Sequence, residues 1–192
     1  MISMVLFILK LTIEIDDIDG PIHIEINNPK LKRLCIYGSF ITIYLKDLKL
    51  LVYARISMDF RPNVSRTCNF SNFFGALRSI QELSLEHRFL QLSNVAESAI
   101  VPVIDLQQAK DQLDSTFNKL QVVGIFGFHC KEIELVLIEF ILANSSVLET
   151  MNISHEINDT NKELTWLKEL LRLKRASTQA EIVLKFDRSL PS

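Results

Sequence analysis

A short phrase recurs along this chain: an apolar residue, two intervening residues, a second apolar residue, one intervening residue, and a third. It reads Leu31-x-x-Leu34-x-Ile36, Leu120-x-x-Val123-x-Ile125 and Leu148-x-x-Met151-x-Ile153. Leu77-x-x-Ile80-x-x-Leu83-x-Leu85 restores it between them. The last two apolar positions alternate with period two, the signature of a strand with one buried face. One amphipathic segment lies between the copies at 120 and 148. A strand, a turn, a helix and the same phrase again is the pattern of stacked units that cannot bury their apolar faces alone. Such stacks build extended binding surfaces rather than reaction centres.

The rest of the chain fits around these copies. Leu11, Ile13 and Ile15 alternate with Thr12, Glu14 and Asp16, and Ile22, Ile24 and Ile26 alternate with His23 and Glu25. Both runs predict strands, separated by the turn signal Asp19-Gly20-Pro21. The apolar run from 41 to 56 predicts two short strands around Lys46-Asp47. Residues 61–75, with Pro62, Asn63, Asn69, Asn72 and Gly75, read as a loop or a short irregular helix. From 93 to 106 nothing is periodic, and Pro102 opposes a continuous helix. Residues 107–117 read as a short helix or an exposed loop.

Two helices are predicted. Over 131–143, Leu135, Ile138 and Leu142 form a stripe that Val136, Leu137 and Phe140 widen. Glu132 and Glu134 suit its first turn, and Asn144 suits its C-terminal cap. Over 161–175, a capping box Thr160-x-x-Glu163 opens the helix. Leu164, Leu167 and Leu171 are its expected apolar stripe, flanked by Trp166 and Leu170. Residues 181–186 predict a closing strand.

Composition sets limits on function. The 192 residues are 48% hydrophobic and 23% charged, which describes a soluble globular chain long enough for a real core. A formal net charge of −2 gives no electrostatic reason to expect nucleic acid. Cys35, Cys68 and Cys130 form neither a disulfide framework nor a C-x-x-C site, and read as small hydrophobes. The apolar start MISMVLFIL is too short for a membrane span and lacks the basic flank of a secretory signal, so a buried strand is expected. The Asn-x-Ser/Thr triplets at Asn63, Asn69, Asn144, Asn152 and Asn158 then have no consequence.

Chemistry is hard to place. No phosphate loop, nucleophile elbow or H-E-x-x-H helix is present. His23, His87, His129 and His155 are scattered, and Asp16-Asp17-Ile18-Asp19 reads as a solvated turn. The basic group 168–175 complements its own helix end and has no interleaved aromatic platform. No catalytic residue, cofactor or metal is expected.

The C-terminal residues carry a resemblance. Leu120-Gln-Val-Val-Gly-Ile-Phe-Gly-Phe128, the helix start Glu132-Ile-Glu-Leu135 and the run Leu142-Ala-Asn-Ser-Ser-Val-Leu-Glu-Thr-Met151 are similar to the FBD domain. Leu167-Lys-Glu-Leu-Leu-Arg-Leu-Lys-Arg-Ala-Ser177 with Ala180-Glu-Ile182 is similar to that domain's closing phrase. Asn28-Pro-Lys-Leu-Lys-Arg-Leu34 resembles an upstream leucine-rich repeat. Together they resemble the plant F-box/FBD/LRR-repeat family. That resemblance implies substrate recognition for an SCF-type ubiquitin ligase, with the repeats holding an unknown target protein and an F-box docking the adaptor. No F-box-like segment lies within residues 1–192, which read as repeat from the start, and the stretch 85–106 is shorter than the family leads one to expect. The expectation is therefore that this chain, as it stands, does not bind the adaptor.

The expected fold is α/β: a short, irregular leucine-rich-repeat solenoid with a curved, mainly parallel sheet. A repeat-like region covers 1–106, and an FBD-like unit over 107–192 continues and closes the solenoid. The copies at 31–36, 83–85, 120–125 and 148–153 and the run 182–186 are expected as neighbouring strands, with both helices on one face. The residues between the core positions then share the other face: Arg33, Cys35 and Tyr37; Glu82, Ser84 and Glu86; Val122, Gly124 and Phe126; Thr150, Asn152 and Ser154. Of these, Arg33, Tyr37, Glu82, Ser84, Glu86, Val122, Phe126, Thr150 and Asn152 are the candidate protein-binding surface. The function expected is a non-catalytic protein-interaction module in the cytoplasm or nucleus, without nucleic acid or membrane. The alternatives are a truncated or degenerate gene product without ligase function, and an enzyme of unrecognised type.

Overall fold

Alternating apolar residues become strands wherever one face can be buried, and the chain does this nine times among the residues described. A computed structural model describes residues 9–15, 23–38, 42–58, 70–86, 117–128, 132–155 and 160–186. The strands are β1 (Lys10–Ile15), β2 (His23–Asn27), β3 (Arg33–Gly38), β4 (Thr42–Lys46), β5 (Tyr53–Met58), β6 (Glu82–Glu86), β7 (Val122–Phe128), β8 (Thr150–His155) and β9 (Glu181–Phe186). The helices are α1 (Phe70–Ala76), α2 (Glu132–Asn144) and α3 (Thr160–Arg172).

Seven strands form one sheet in the order β1-β3-β5-β6-β7-β8-β9, and every pair is parallel. The fold is thus α/β with a parallel sheet in which each new strand is laid on the same edge. The register is continuous through both core rows, and a bulge shifts β7 against β8 only beyond Ile125. Leu11, Leu34, Ala54, Leu83, Val123, Met151 and Ile182 share one row, and Ile13, Ile36, Ile56, Leu85, Ile125, Ile153 and Leu184 share another. Both rows belong to, or pack against, a single core that also takes Leu137, Ile138 and Ile141 of α2 and Trp166 and Leu170 of α3.

The recurrent phrase has a backbone counterpart. Before β3, β5, β6, β7 and β8, a residue's N–H donates to the carbonyl three residues back: Leu31 to Asn28, Leu51 to Leu48, Ile80 to Leu77, Leu120 to Phe117 and Leu148 to Ser145. The strand then begins where one carbonyl of the preceding unit accepts two successive N–H groups. Leu9, Lys32, Val52, Gln81 and Gln121 are these acceptors, at 2.8–3.2 Å. At the last strand the equivalent carbonyl, Ala180, accepts from Arg175 Nη1 at 2.9 Å instead. A side chain stands where a further strand would donate.

Several expectations need correction. The copies at 31–36 and 83–85 are not neighbours, because β5 lies between β3 and β6. Its phrase is Leu51-x-x-Ala54-x-Ile56, with an alanine in the second core position. The strands also do not form one sheet alone. β2 and β4 pair separately, in parallel, from His23↔Thr42 to Asn27↔Lys46, and send Ile24, Ile26, Ile43 and Leu45 into the same core. In α3 the buried residues are Trp166 and Leu170, while Leu164 and Leu171 are 58% and 70% exposed. Burying the indole removes more apolar area than burying either leucine, so it sets the helix rotation. α3 also ends at Arg172 rather than at residue 175.

α2 runs one residue beyond its expected end, and Asn144 closes it by donating its side-chain amide to the Phe140 carbonyl at 2.7 Å. Apolar nearly all round, the helix is buried on most of its circumference, from Leu137 to Leu142 except for Glu139. The expected apolar strand at the N-terminus, the stretches 61–69 and 85–106 beyond Glu86, the thiols of Cys68 and Cys130 and the side chains of the capping box lie outside the described residues.

Two buried serines give opposite predictions. Ser177 follows α3 and donates its hydroxyl to the Leu148 carbonyl at 2.7 Å, while accepting from Gln179 N–H at 3.3 Å. Ser177→Ala leaves a buried carbonyl short of a donor and is expected to cost about 1–3 kcal/mol. Ser145 is fully buried, and its hydroxyl has no hydrogen-bond partner among the described residues. Ser145→Ala is therefore expected to be neutral or slightly stabilising. Urea denaturation of both variants checks the pair. Equal losses would contradict the hydrogen bonding described.

Candidate binding face of the seven-stranded sheet

The rows between the core rows lie on the opposite side of the sheet. One holds Lys10, Arg33, Tyr53, Glu82, Val122, Thr150 and Glu181; the next holds Thr12, Cys35, Arg55, Ser84, Gly124, Asn152 and Val183. Tyr37 and Glu86 lie one step further along β3 and β6, and Glu86 pairs with Phe126 of β7. All nine expected surface residues fall on this face. They do not share one exposure: Arg33, Glu82 and Phe126 are exposed, Tyr37, Glu86, Val122, Thr150 and Asn152 are half-buried, and Ser84 is buried at 8%. Cys35 is likewise buried, a free thiol beneath its neighbours.

β5 supplies the two residues that tie this face together, Tyr53 and Arg55. The Arg33 guanidinium lies over the Tyr53 ring, 4.0 Å from its centre. Arg55 donates through Nε to Glu86 Oε1 at 2.9 Å, and its Nη2 reaches the same oxygen. Because Arg55 is directly opposite Ser84, this ion pair crosses the sheet diagonally. It holds the guanidinium 5.7 Å from the centre of the Tyr37 ring and 6.0 Å from that of Phe126. The pair is part-exposed, so its direct contribution to stability falls at about 0–1 kcal/mol. Its main effect is to place a cation between two aromatic rings.

Phe126 needs a glycine beside it. A Cβ built on Gly124 would stand 2.7 Å from Phe126 Cε2, so the ring lies flat across a residue without a side chain. Beyond it, β7 and β8 carry Val122, Thr150, Asn152 and Ser154 on this face, and none is charged. The surface therefore grades from an arginine–tyrosine cluster on β3 and β5, through the carboxylates of β6, to a neutral strip on β7 and β8.

Two ionisations follow from this packing. The hydrogen bond from Arg55 to Glu86 pushes the guanidinium pKa up, so the cation persists at every accessible pH. Tyr37 is raised above 10.0, first by burial and then by the neighbouring Cys35. A raised phenol pKa favours the neutral form in the folded chain. Its stabilising contribution is thus fully present below pH of about 10 and is lost as pH rises through the raised value. Ultraviolet difference titration of the wild type against Tyr37→Phe should show this phenol ionising later than free tyrosine. Ionisation at or below the free value would contradict the burial.

Among the described residues, no group of three His, Cys, Asp or Glu side chains could hold a metal ion. No described helix is long and apolar enough to cross a membrane. No family model matches the chain, and neither a curated protein nor a solved structure does.

Sequence reasoning missed Tyr53 and Arg55 because β5 did not present the apolar phrase in full. The available signal was spacing: Leu48, Leu51, Ala54 and Ile56 repeat the intervals of Leu77, Ile80, Leu83 and Leu85 once alanine is accepted in the third position.

Proposed function

We propose that this chain is a non-catalytic protein-recognition module of the leucine-rich-repeat type, closed by an FBD-like unit. In this reading it corresponds to the target-holding part of an F-box receptor for an SCF-type ubiquitin ligase. The observation that carries the reading is the cluster of Arg33, Tyr53, Arg55, Tyr37, Glu86 and Phe126 on the polar side of the sheet. Arginine and aromatic residues are enriched at the energetic centres of protein interfaces: aromatic rings bring large contact area at low entropic cost, and the planar guanidinium stacks on them and offers several donors. The in-order parallel strands and the turn repeated before five of them support the repeat assignment.

The test compares partners captured by the wild-type chain with those captured by Arg33→Glu, Arg55→Ala and Phe126→Ala, and by the control Lys174→Glu on an exposed loop. The expected result is a partner lost with each strand-face variant and kept by the control. A partner set indifferent to all three would place recognition elsewhere. Purified ligase adaptor should not bind residues 1–192, since the family resemblance assigns that contact to an F-box. Saturable adaptor binding would overturn this part.

A further inference from the structure

The two ends of the sheet match each other. Among the described residues, nothing pairs with the outer edge of β1 or of β9. The inner rows are fully buried at the central strands but only half-buried at the ends, at Leu11 and Ile13 on β1 and at Ile182 and Leu184 on β9. Each edge thus offers unpaired backbone donors and acceptors beside incompletely covered apolar side chains, the usual template for another strand.

The charges on the two edges are opposite. If β1 of another molecule were added to β9 in the register that every internal pair uses, Leu11 would continue the row of Ile182, and Ile13 that of Leu184. Lys10 would then fall beside Glu181, and Glu14 beside Lys185, all four being exposed. Opposite charges directly across a strand pair stabilise it; a one-residue shift would lose both matches and turn the apolar rows outward, and a two-residue shift would keep the rows but lose both matches. The Ala180 carbonyl, which accepts from the exposed Arg175 side chain in the single chain, lies where the next N–H would donate.

We propose that the chain associates head to tail with a second copy of itself. β1 of one molecule docks on β9 of the next and carries the parallel sheet across the junction. The contact is heterologous, so it leaves one free β1 edge and one free β9 edge and permits chains longer than two. It uses the two edge strands, whose four charged residues lie on the polar side but outside the cluster from Arg33 to Phe126, and so goes beyond target recognition and stands or falls separately from it.

The test is sedimentation velocity of the 192-residue chain over a concentration series, with two charge-reversed variants. One is Lys10→Glu with Glu14→Lys; the other is Glu181→Lys with Lys185→Glu. The wild type is expected to associate reversibly. Each variant alone should associate at least about tenfold more weakly, since two attractive pairs become repulsive. An equal mixture should recover wild-type association, because each reversed edge then meets a partner of opposite pattern. Circular dichroism of each variant checks that these exposed changes leave the fold intact. A wild type that stays monomeric throughout overturns the proposal, whether or not its β9 edge takes up an extended peptide. So do variants that associate as tightly as wild type, or folded variants whose mixture shows no recovery.

Discussion

Replacing Phe74 by alanine is expected to destabilise the chain by about 3–5 kcal/mol, a large share of the total stability of a domain this size. Phe74 is 1% exposed and sits where three parts of the chain meet. Its ring centre lies 5.1 Å from that of Phe73, 5.7 Å from that of Phe117 before β7, and 5.2 Å from that of Phe140 in α2. The contacts with Phe73 and Phe117 are edge-to-face, an arrangement that adds about 0.5–1.5 kcal/mol per pair beyond area burial. Removing the ring takes away both contributions and leaves a cavity among side chains fixed by three separate elements. Denaturant unfolding measures the loss. Phe126→Ala is the comparison, because that ring is 38% exposed and lies on the polar face. If the two variants lost equal stability, Phe74 would not be the centre of the core.

Leu148→Ala is expected to cost about 2–5 kcal/mol. The side chain is fully buried, and the backbone around it is tied twice. Its N–H donates to the Ser145 carbonyl, and its own carbonyl accepts the Ser177 hydroxyl. A cavity at this point loosens both the turn into β8 and the segment that returns from α3. Leu171→Ala, at 70% exposure, should change stability by no more than about 0.5 kcal/mol. Thermal melts of the two leucine variants decide the assignment. A Leu171 effect as large as that of Leu148 would restore the α3 stripe expected from spacing and contradict the buried Trp166.

The phrase made most of the sheet legible because its two spacings carry separate information. The three-residue step marks the turn, and the two-residue step marks the strand. Both are visible in plain text at Leu148, Met151 and Ile153 and at Leu31, Leu34 and Ile36. The same rule failed at β5, where Ala54 fills the core position. Ala54 is fully buried between Leu34 and Leu83 in its row, and residue size is the cue that a hydrophobic pattern reads. In α3 the failure was different. Leu164, Trp166, Leu167, Leu170 and Leu171 spread over nearly half of the helix circumference, so spacing alone permits more than one rotation. The choice depends on which stripe meets the sheet. The β2–β4 pair was visible as two strands but not as a separate sheet, since alternation shows that a strand has an inside and not which neighbour it takes. On the polar face, the alternation placed the side chains correctly. It could not show that a diagonal ion pair would hold Arg55 between Tyr37 and Phe126.

Because the seven strands are laid down in the order in which they are made, each touches only the one before it and the one after it. No late segment has to be threaded between early ones, so the sheet can grow from any interior pair outward. Strength then accumulates toward the middle. Amide hydrogens of β6 and β7 should be the last to exchange with solvent, and those of β1 and β9 the first. The same plainness gives the architecture a long memory for copying errors. A unit gained or lost shifts everything after it by one place along the edge, and asks nothing of the units already there except that the next strand begin on the same pair of hydrogen bonds.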